Sequence, residues 1–366
     1  MKTKSFITAA LMSTVLTTWA STTISIEGTM NEATNPLINY VGRVRLTLEG
    51  WASFNYPGTE INADFEGTSL RMSASPMSGF FMVEVDGCKG FKVSFNSQTD
   101  SVVSLATALA PGRHSVRIAY CIEGLNRKPE FRGLITDHGC GLLKQQNTRT
   151  RKIEFIGNSI TCGYGVESSE KTDPFEEATE NHYYTYASIV SRSLNAEHTS
   201  ISRSGIGVYR NYDGPKDGSP DPMPWQYPYT LFNDHSERWD FSKYQPQLVC
   251  INIGTNDFST DNYDARKYEK AYREFLSQVR GYYPDAKIVL LTGPMLGEKE
   301  NNKQKSILDD IANDFNKKGD TNIYRFDFTP QTGELGYGAS WHPSMRQQQR
   351  MAEELTPYLK SLMNWK

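Results

Sequence analysis

The sequence predicts an α/β fold preceded by an all-β domain, because the two halves of the chain differ in hydrophobic rhythm. Over residues 40–143, short apolar–polar alternations are separated by Gly and Pro turns with no helical pattern between them, which is typical of a β-sandwich. After the polar, basic stretch at residues 144–152, continuous apolar runs alternate with helical patterns. That alternation predicts a parallel sheet covered by helices on both faces.

Three stretches give the clearest strands of the first half. Residues 61–65 (INADF) alternate apolar and polar side chains, and residues 80–87 (FFMVEVDG) end in an Asp86–Gly87 turn. A second pair of turn residues, Pro111–Gly112, begins an alternating run that continues to Tyr120. Alternating runs bounded by such turn residues are expected of antiparallel strands.

The second half contains five continuous apolar runs, with helical patterns between several of them. The clearest helical pattern spans residues 264–283, where apolar side chains recur at i, i+3, i+4, i+7, i+8 and i+11 and form one face. In a parallel sheet, sites form beyond the C-terminal ends of the strands, so the residues after each run are the functional candidates. The runs are residues 152–157, 198–202, 247–254, 287–293 and 322–328.

The first 20 residues have the layout of a secretory signal peptide. Lys2 and Lys4 precede an apolar stretch at residues 6–16, and Ala20 offers a small side chain for cleavage. The stretch is shorter than a membrane-spanning helix, and no later stretch of the sequence is apolar enough to cross a bilayer. We therefore expect a periplasmic or secreted protein, the alternative being a cytosolic protein with an irregular N-terminus.

The bulk composition suits a globular protein of two domains with neither nucleic acid nor membranes as partners. The chain has 366 residues, of which 38% are hydrophobic and 22% charged, and a formal net charge of −3. The five cysteines match no zinc-binding spacing. Cys250 lies in an apolar run and is expected to be buried. A disulfide between Cys121 and Cys140 is possible, but the sequence does not decide whether it forms. We expect a monomer.

Four residues with catalytic potential follow the apolar runs in order. Ser159 follows the first run within GNSITCGYG, Gly205 follows the second within RSGIGVYRN, and Asn256 follows the third within GTNDFS. His342 comes after the fifth run, within ASWHPS. Taken singly, the first three have structural alternatives, because a serine can cap a helix and glycine and asparagine are ordinary turn residues.

Together the four residues form a complete machinery for acyl transfer. Ser159 would attack an acyl carbon while His342 accepts the hydroxyl proton and later gives a proton to the leaving alcohol. The main-chain N–H groups of Ser159 and Gly205 and the side-chain amide of Asn256 would surround the developing oxyanion. Each such donor can lower the barrier by about 3 kcal/mol.

This order of blocks resembles the SGNH, or GDSL-type, hydrolases, which are named for a Ser, a Gly, an Asn and a His. The motifs IEFIGNSITCGYG, GVYRN, GTNDFS and WHPS, behind a β-sandwich, further resemble carbohydrate esterase family 2 over nearly the whole mature chain. The resemblance implies a jelly-roll domain over residues 21–145 and an SGNH catalytic domain over residues 146–366. The implied activity is removal of acetyl groups from plant polysaccharides or oligosaccharides, as by acetyl xylan esterases.

The resemblance also assigns roles to the four residues. It implies Ser159 as the nucleophile, His342 as the base, and an oxyanion hole formed by Ser159, Gly205 and Asn256. No metal or organic cofactor is implied. Asn158 stands where many relatives have Asp, but this neighbour is not the nucleophile.

The sequence departs from the family pattern beside the histidine. SGNH enzymes commonly place Asp three residues before the His, and family 2 members often place it two residues before, but here these positions are Ala339 and Ser340. An acidic residue normally holds the imidazole tautomer and stabilises the imidazolium. Our hypothesis is a Ser–His dyad in which a main-chain carbonyl near Ser340 orients His342. The Ser340 hydroxyl and the distant Asp327 are the alternatives.

The substrate side of the site is less defined by the sequence. Trp341, beside the predicted base, is a candidate for stacking on a pyranose ring. Residues 207–246 are rich in Tyr, Trp, Pro and Asp, and either wall the cleft or pack on their own aromatics. The N-terminal sandwich is expected to be mainly structural. Two other functions stay open, an esterase for another acetylated glycan and a carbohydrate-binding protein that has lost catalysis.

Overall fold

The computed structural model describes residues 27–99, 101–124, 127–146 and 148–366. The predicted signal peptide, residues 1–20, lies outside the described residues. Within the described ranges, no helix combines the length and apolar character that a membrane crossing requires.

The N-terminal half forms an antiparallel sandwich of two sheets. One has the strand order β3-β4-β11-β6-β9, with β1 also paired to β11, and the other has the order β12-β5-β10-β7-β8, with β2 also paired to β5. The central orders 4-11-6-9 and 5-10-7-8 are those of a jelly roll, so the predicted sandwich is confirmed. The strands are β1 (Thr29–Glu32), β2 (Asn39–Val41), β3 (Arg45–Leu46), β4 (Ala52–Ser53), β5 (Glu60–Gly67), β6 (Leu70–Ala74), β7 (Gly79–Val85), β8 (Phe91–Phe95), β9 (Val102–Ala106), β10 (Gly112–Tyr120), β11 (Glu130–Thr136) and β12 (Leu142–Leu143).

Local sequence explains the predicted turn after β7. Asp86 and Gly87 have φ values of 54° and 68°, and the Cys88 N–H donates to the Val85 carbonyl at 3.0 Å. Positive φ at both central positions is the geometry of a type I′ turn, which Asp–Gly adopts readily.

The C-terminal half is an α/β domain whose elements match the predicted alternation. Four short 3₁₀ turns accompany them, at Glu177–Thr179, His182–Tyr184, Phe241–Lys243 and Ala339–Trp341. The elements are β13 (Arg151–Gly157), α1 (Ser159–Cys162), α2 (Tyr186–Ser193), β14 (Ala196–Ser202), α3 (Met223–Gln226), β15 (Tyr229–Leu231), β16 (Asp234–Arg238), β17 (Leu248–Asn252), α4 (Thr255–Phe258), α5 (Ala265–Tyr282), β18 (Lys287–Thr292), α6 (Glu298–Lys317), β19 (Ile323–Asp327) and α7 (Met345–Met363).

All five predicted runs are strands of one parallel sheet, in the order β14-β13-β17-β18-β19. The central strand β17 is apolar throughout because both of its faces are covered. Val249 and Ile251 pack in the same cluster as α5 and α6, and Leu248 and Cys250 pack in the cluster that contains α2 and α7. Helix α5 begins where the periodicity predicts, with the Asp264 side chain capping its first turn.

The cysteines are all free thiols. The disulfide that the sequence left open, Cys121–Cys140, is therefore not formed. Cys250 is fully buried within β17, as predicted.

The aromatic-rich segment at residues 207–246 packs mainly between the two domains. It contains α3 and the β15–β16 hairpin, and it buries Tyr227 and Phe232 in the core of the α/β domain. Asn55 of the sandwich pairs with both main-chain groups of Phe232, at 2.8 Å each. Only the beginning of the segment, at the exposed Tyr212, lies beside the predicted site residues.

Candidate active site

The predicted residues lie at one edge of the parallel sheet. Ser159, Gly205 and Asn256 follow β13, β14 and β17, which are neighbours in the sheet. Parallel strands end at the same edge, so these loops meet there. His342 reaches the same place from the loop that precedes α7.

The side chains of Ser159 and His342 are in direct contact. The Ser159 hydroxyl lies 2.8 Å from His342 Nε2, and only 7% of Ser159 is exposed. The residue that caps α1 is Asn158, whose side chain accepts a hydrogen bond from the Ile160 N–H at 3.1 Å. The alternative that Ser159 serves as the cap is therefore wrong, and its hydroxyl is left to the imidazole.

Main-chain carbonyls hold the other side of the imidazole. His342 Nδ1 lies 3.1 Å from the carbonyl oxygens of both Ala339 and Ser340. Because carbonyls only accept, the proton belongs on Nδ1 and the lone pair on Nε2 faces the Ser159 hydroxyl. A contact between Nδ1 and a main-chain carbonyl near Ser340 is what we hypothesised from the sequence.

The two alternative partners of the imidazole are not in place. The Asp327 carboxylate instead accepts hydrogen bonds from Thr292 at 2.8 Å and Arg325 at 2.7 Å. The Ser340 group beside Nδ1 is its carbonyl, not its hydroxyl. Among the residues described, no carboxylate contacts the His342 ring.

An unusual backbone brings these carbonyls to the ring. Ser340 and Trp341 have φ values of 50° and 59°, in the left-handed region that few non-glycine residues adopt. The loop is held by hydrogen bonds from the Ala339 N–H to the Gly165 carbonyl at 3.1 Å and from Gln331 Nε2 to the Trp341 carbonyl at 2.8 Å. Strained backbone of this kind persists where surrounding contacts fix it.

The environment of His342 keeps its imidazole neutral. Burial lowers the pKa of His342 from 6.5 to about 4, although the carbonyls of Ala339 and Ser340 act in the opposite direction. A neutral imidazole with a free Nε2 lone pair can accept a proton from a serine hydroxyl at ordinary pH.

The candidate oxyanion donors lie on connected segments. Ser159 is the first residue of α1, where an N–H has no partner within the helix. Gly205 has φ of 76°, which suits glycine. Asn256 Nδ2 donates to the Ile206 carbonyl at 2.8 Å, which uses one of its two protons and leaves the other for a ligand. The buried Asp257 carboxylate accepts the N–H groups of the next turn, from Val208, Tyr209 and Arg210.

Aromatic side chains lie around the dyad, of which the sequence predicts Trp341 but not Tyr164, Phe175 or Tyr212. The Tyr164 ring lies against the His342 ring, with centroids 4.3 Å apart, and Phe175 stacks on the far side of Tyr164 at 4.2 Å. Tyr212 is 61% exposed beside Gly205, and Trp341 is 51% exposed beside His342. Tyr164 lies within GNSITCGYG and Tyr212 directly after GVYRN, so their proximity to the motifs was the available signal.

One cluster of potential metal ligands occurs in the part of the chain that the structure describes. Ligand atoms of Glu123, Cys162 and Glu180 lie within 4.8 Å of one another, and all three residues are buried. Cys162 is the last residue of α1, whereas Ser159 is the first, and the sequence analysis did not predict this cluster. Main-chain N–H groups contact two of the carboxylate oxygens, since the Ser204 N–H donates to Glu123 Oε2 and the Glu123 N–H donates to Glu180 Oε2.

Comparisons with known proteins find matches for both halves of the chain. Residues 40–145 match the family model "Carbohydrate esterase 2 N-terminal", and residues 153–355 match "GDSL-like Lipase/Acylhydrolase". Cellulase/esterase CelE of Acetivibrio thermocellus is 40% identical over 334 residues, which are 90% of this chain, and the chain spans 40% of that protein's length. An acetylxylan esterase / glucomannan deacetylase of Cellvibrio japonicus is 27% identical, with 91% of each chain covered.

A solved structure shows the same architecture. The family two carbohydrate esterase from Clostridium thermocellum, in complex with cellohexaose, has a TM-score of 0.83 and 38% sequence identity, and the match covers 90% of this chain and 100% of that one. Both domains are included in that match. The chain therefore belongs to carbohydrate esterase family 2, with a GDSL-type acylhydrolase as its second domain.

Proposed function

We propose that the protein is a carbohydrate O-acetyl esterase that removes acetyl groups from plant polysaccharides of the xylan or mannan type. The observation that carries the proposal is the 2.8 Å contact between the Ser159 hydroxyl and His342 Nε2 at the carboxyl edge of the sheet. Family membership supports ester hydrolysis as the reaction.

In the first half of the proposed reaction, Ser159 Oγ attacks the acetyl carbonyl carbon while His342 Nε2 takes the hydroxyl proton. Negative charge develops on the carbonyl oxygen, where the N–H groups of Ser159 and Gly205 and the Asn256 amide donate hydrogen bonds. The bond between the carbonyl carbon and the sugar oxygen then breaks, and His342 returns the proton to that oxygen. The products are the free sugar hydroxyl and acetyl-Ser159.

In the second half, water replaces the sugar. His342 Nε2 takes a proton from water, whose oxygen attacks the acetyl carbon and forms a second oxyanion. The bond to Ser159 Oγ breaks, the serine regains the proton, and acetate leaves. Throughout, the Ala339 and Ser340 carbonyls keep the second proton of the imidazolium on Nδ1.

The exposed aromatics support a sugar as the leaving group. Trp341 lies beside the proposed base and is 51% exposed. Tyr212 is 61% exposed and lies beside Gly205, in what we call the oxyanion segment, residues 203–207. Aromatic faces stack well on pyranose rings, so we propose that these side chains bind the sugar units of the polysaccharide. The glycan-related names of the relatives, acetylxylan, glucomannan and cellohexaose, support the same substrate class.

We propose that the protein is exported from the cytoplasm. The lysines and apolar stretch at the N-terminus support a periplasmic or secreted enzyme that meets its polymeric substrate outside the cytoplasm. We propose that it acts as a monomer.

The test compares native protein with Ser159→Ala in the release of 4-nitrophenol from its acetate ester. We expect the variant to lose activity by about 10³-fold or more, because no other group forms the acyl-enzyme. Ser277→Ala, on the exposed side of α5, serves as the control and should hydrolyse the ester like native protein. Equal rates for Ser159→Ala and native protein would end the esterase proposal.

The substrate is identified by acetate release from a panel of acetylated polysaccharides, including xylan, mannan and a bacterial surface glycan. Release from xylan or mannan, with acetate preferred over butyrate esters, would support the proposal. Release from the surface glycan alone would favour an esterase of another acetylated glycan, and oligosaccharide binding without turnover a carbohydrate-binding protein.

A further inference from the structure

We infer that Glu123, a residue of the N-terminal sandwich, is a positioning residue that holds the oxyanion segment in register with the nucleophile helix. The inference rests on the proposed function, because it concerns the same site. Glu123 lies in the segment between β10 and β11, and its side chain enters the α/β domain beneath Ser204 and α1.

A single carboxylate oxygen contacts both halves of the site. Glu123 Oε2 accepts a hydrogen bond from the Ser204 N–H at 2.6 Å and lies 3.7 Å from the Cys162 thiol, whose single proton can go to this oxygen or to Ser202 Oγ at 3.3 Å. Ser204 immediately precedes Gly205, the candidate oxyanion donor. Cys162 lies in the same helical turn as Ser159, the candidate nucleophile. The oxygen therefore links the oxyanion donor to the nucleophile across two different chain segments.

The segment that carries Glu123 is firmly anchored. The Glu123 N–H donates to Glu180 Oε2 at 3.2 Å, and the Gly124 N–H donates to the Asn55 carbonyl at 3.0 Å. The Cys121 carbonyl accepts the His182 N–H at 2.8 Å. A carboxylate on such a fixed backbone can set the position of the groups that it binds.

Burial of two acids here carries a cost. Only 7% of Glu123 and none of Glu180 is exposed, and Glu180 Oε1 has no hydrogen-bond partner in the described part of the chain. Burial raises the pKa of both carboxyls, while Arg203 acts on Glu123 and Lys92 on Glu180 to lower it. A group that costs free energy to bury and yet satisfies one specific N–H fits a positioning role better than a role in packing.

The consequence concerns the angle at which Gly205 presents its N–H. Fixing the Ser204 N–H limits rotation of the chain entering Gly205, whose φ of 76° would otherwise be one of several that glycine adopts. An oxyanion donor must point at the developing charge before the reaction begins. The sandwich domain, which the sequence assigned a structural role, thus contributes a residue that acts on the catalytic geometry.

The test uses Glu123→Leu, which removes the acceptor, and Glu123→Gln, whose amide oxygen can still accept the Ser204 N–H. In hydrolysis of 4-nitrophenyl acetate, we expect Glu123→Leu to lower kcat by about 10²-fold with KM nearly unchanged, because displacement of a catalytic group by 1 Å costs about that much. Glu123→Gln should retain kcat within about 3-fold of native, since the hydrogen bond is restored.

Arg45→Met is the matched control. It removes the ion pair between Arg45 of the sandwich and Asp234 of the α/β domain, at 2.9 Å, which lies in the same domain interface but contacts neither Ser204 nor the segment of Glu123. We expect a slightly lowered Tm with native kcat. If Glu123→Leu and Arg45→Met lose kcat to the same extent, or if Glu123→Gln is as impaired as Glu123→Leu, the positioning role is overturned.

The Ser159→Ala variant separates this inference from the proposed function. Loss of activity in Ser159→Ala with unchanged kcat in folded Glu123→Leu overturns the positioning role and leaves the esterase intact. Full activity in Ser159→Ala overturns both, because the reaction would not use this site. Loss of activity in Ser159→Ala, with low kcat in Glu123→Leu and recovery in Glu123→Gln, supports both.

Discussion

His342 is held by main-chain carbonyls where a serine triad uses a carboxylate. A carbonyl carries only a partial charge, so it fixes the imidazole tautomer but stabilises the imidazolium less than an acid does. The low pKa of about 4 for His342 is the expected result, with burial as its main cause. In the proposed mechanism, such a base stays neutral well into the acid range but has a weaker affinity for the proton that it takes from Ser159.

Restoring the carboxylate should move the pH profile. We expect native kcat/KM to fall on the acid side near pH 4, because His342 must be neutral to act as a base. In Ser340→Asp, a negative charge near Nδ1 favours the imidazolium, so this acid limb should move to higher pH by about 1–3 units. The backbone at Ser340, with φ of 50° and ψ of 44°, tolerates Asp and Asn.

Ser340→Asn controls for shape without charge in that experiment. The pH dependence of kcat/KM for 4-nitrophenyl acetate should place its acid limb where the native enzyme has it. Coincident limbs for Ser340→Asp and Ser340→Asn would contradict an electrostatic effect on His342.

At the scale of elements, the turn after α1 packs closely against the histidine loop, which is the segment of residues 328–344 between β19 and α7 that carries His342. A Cβ at Gly165 would lie 2.4 Å from the Ala339 Cβ, and the Gly165 carbonyl accepts the Ala339 N–H at 3.1 Å. At the other end of the motif, a Cβ at Gly157 would lie 2.0 Å from Thr161 Oγ1. The glycines of GNSITCGYG are therefore needed for close approach, which brings the carbonyls that hold His342 near the helix of Ser159.

Gly165→Ala should displace the histidine loop while the fold survives. The new methyl group would push Ala339 away, and a shift of about 1 Å in His342 is expected to lower kcat by about 10²-fold. The matched control is Gly87→Ala, which has a similarly positive φ of 68° but meets nothing within 4 Å. It should cost about 1 kcal/mol of stability and leave kcat unchanged. Equal kcat values for the two variants, measured with 4-nitrophenyl acetate, would show that the contact does not position His342.

Much of this arrangement could be predicted from local sequence, because strands and helices have their own periodicities. The five apolar runs form the five strands of the parallel sheet, and position after a strand, together with residue type and order along the chain, made Ser159, Gly205 and Asn256 candidates. Glu123 could not be found in this way, since its contact with Ser204 spans 81 residues and nothing in its neighbourhood marks it. A main-chain carbonyl beside His342 was expected because both usual acid positions lack a carboxylate, but the left-handed backbone at Ser340 was not, since serine rarely adopts it and no sequence pattern indicates it.

At the scale of the whole molecule, a buried ion cluster joins the two domains. Glu60, in β5 of the sandwich, is fully buried and bonded to Arg117 of β10 at 2.5 Å and to Arg149, just before β13. Burial alone would raise the pKa of Glu60, but the two guanidinium groups outweigh it and hold that pKa well below 4.5. Glu60 is thus one of the polar residues of the alternating strand β5 that are buried.

Glu60→Gln should destabilise the protein by about 3–5 kcal/mol at pH 7, because it leaves Arg149 without its charged partner and Arg117 with only the longer pair to Glu84, at 3.4 Å. A carboxyl with a depressed pKa stabilises the fold above its unfolded pKa, and this contribution is lost as the pH falls below 4.5. The difference in unfolding free energy between native protein and Glu60→Gln, measured with urea, should therefore shrink below pH 4. Lys270→Gln is the control, since Lys270 pairs with Glu274 on the exposed face of α5 and should cost about 1 kcal/mol or less. A cost for Glu60→Gln equal to that of the control, or independent of pH, would mean that the domains are held together by apolar packing rather than by this charge cluster.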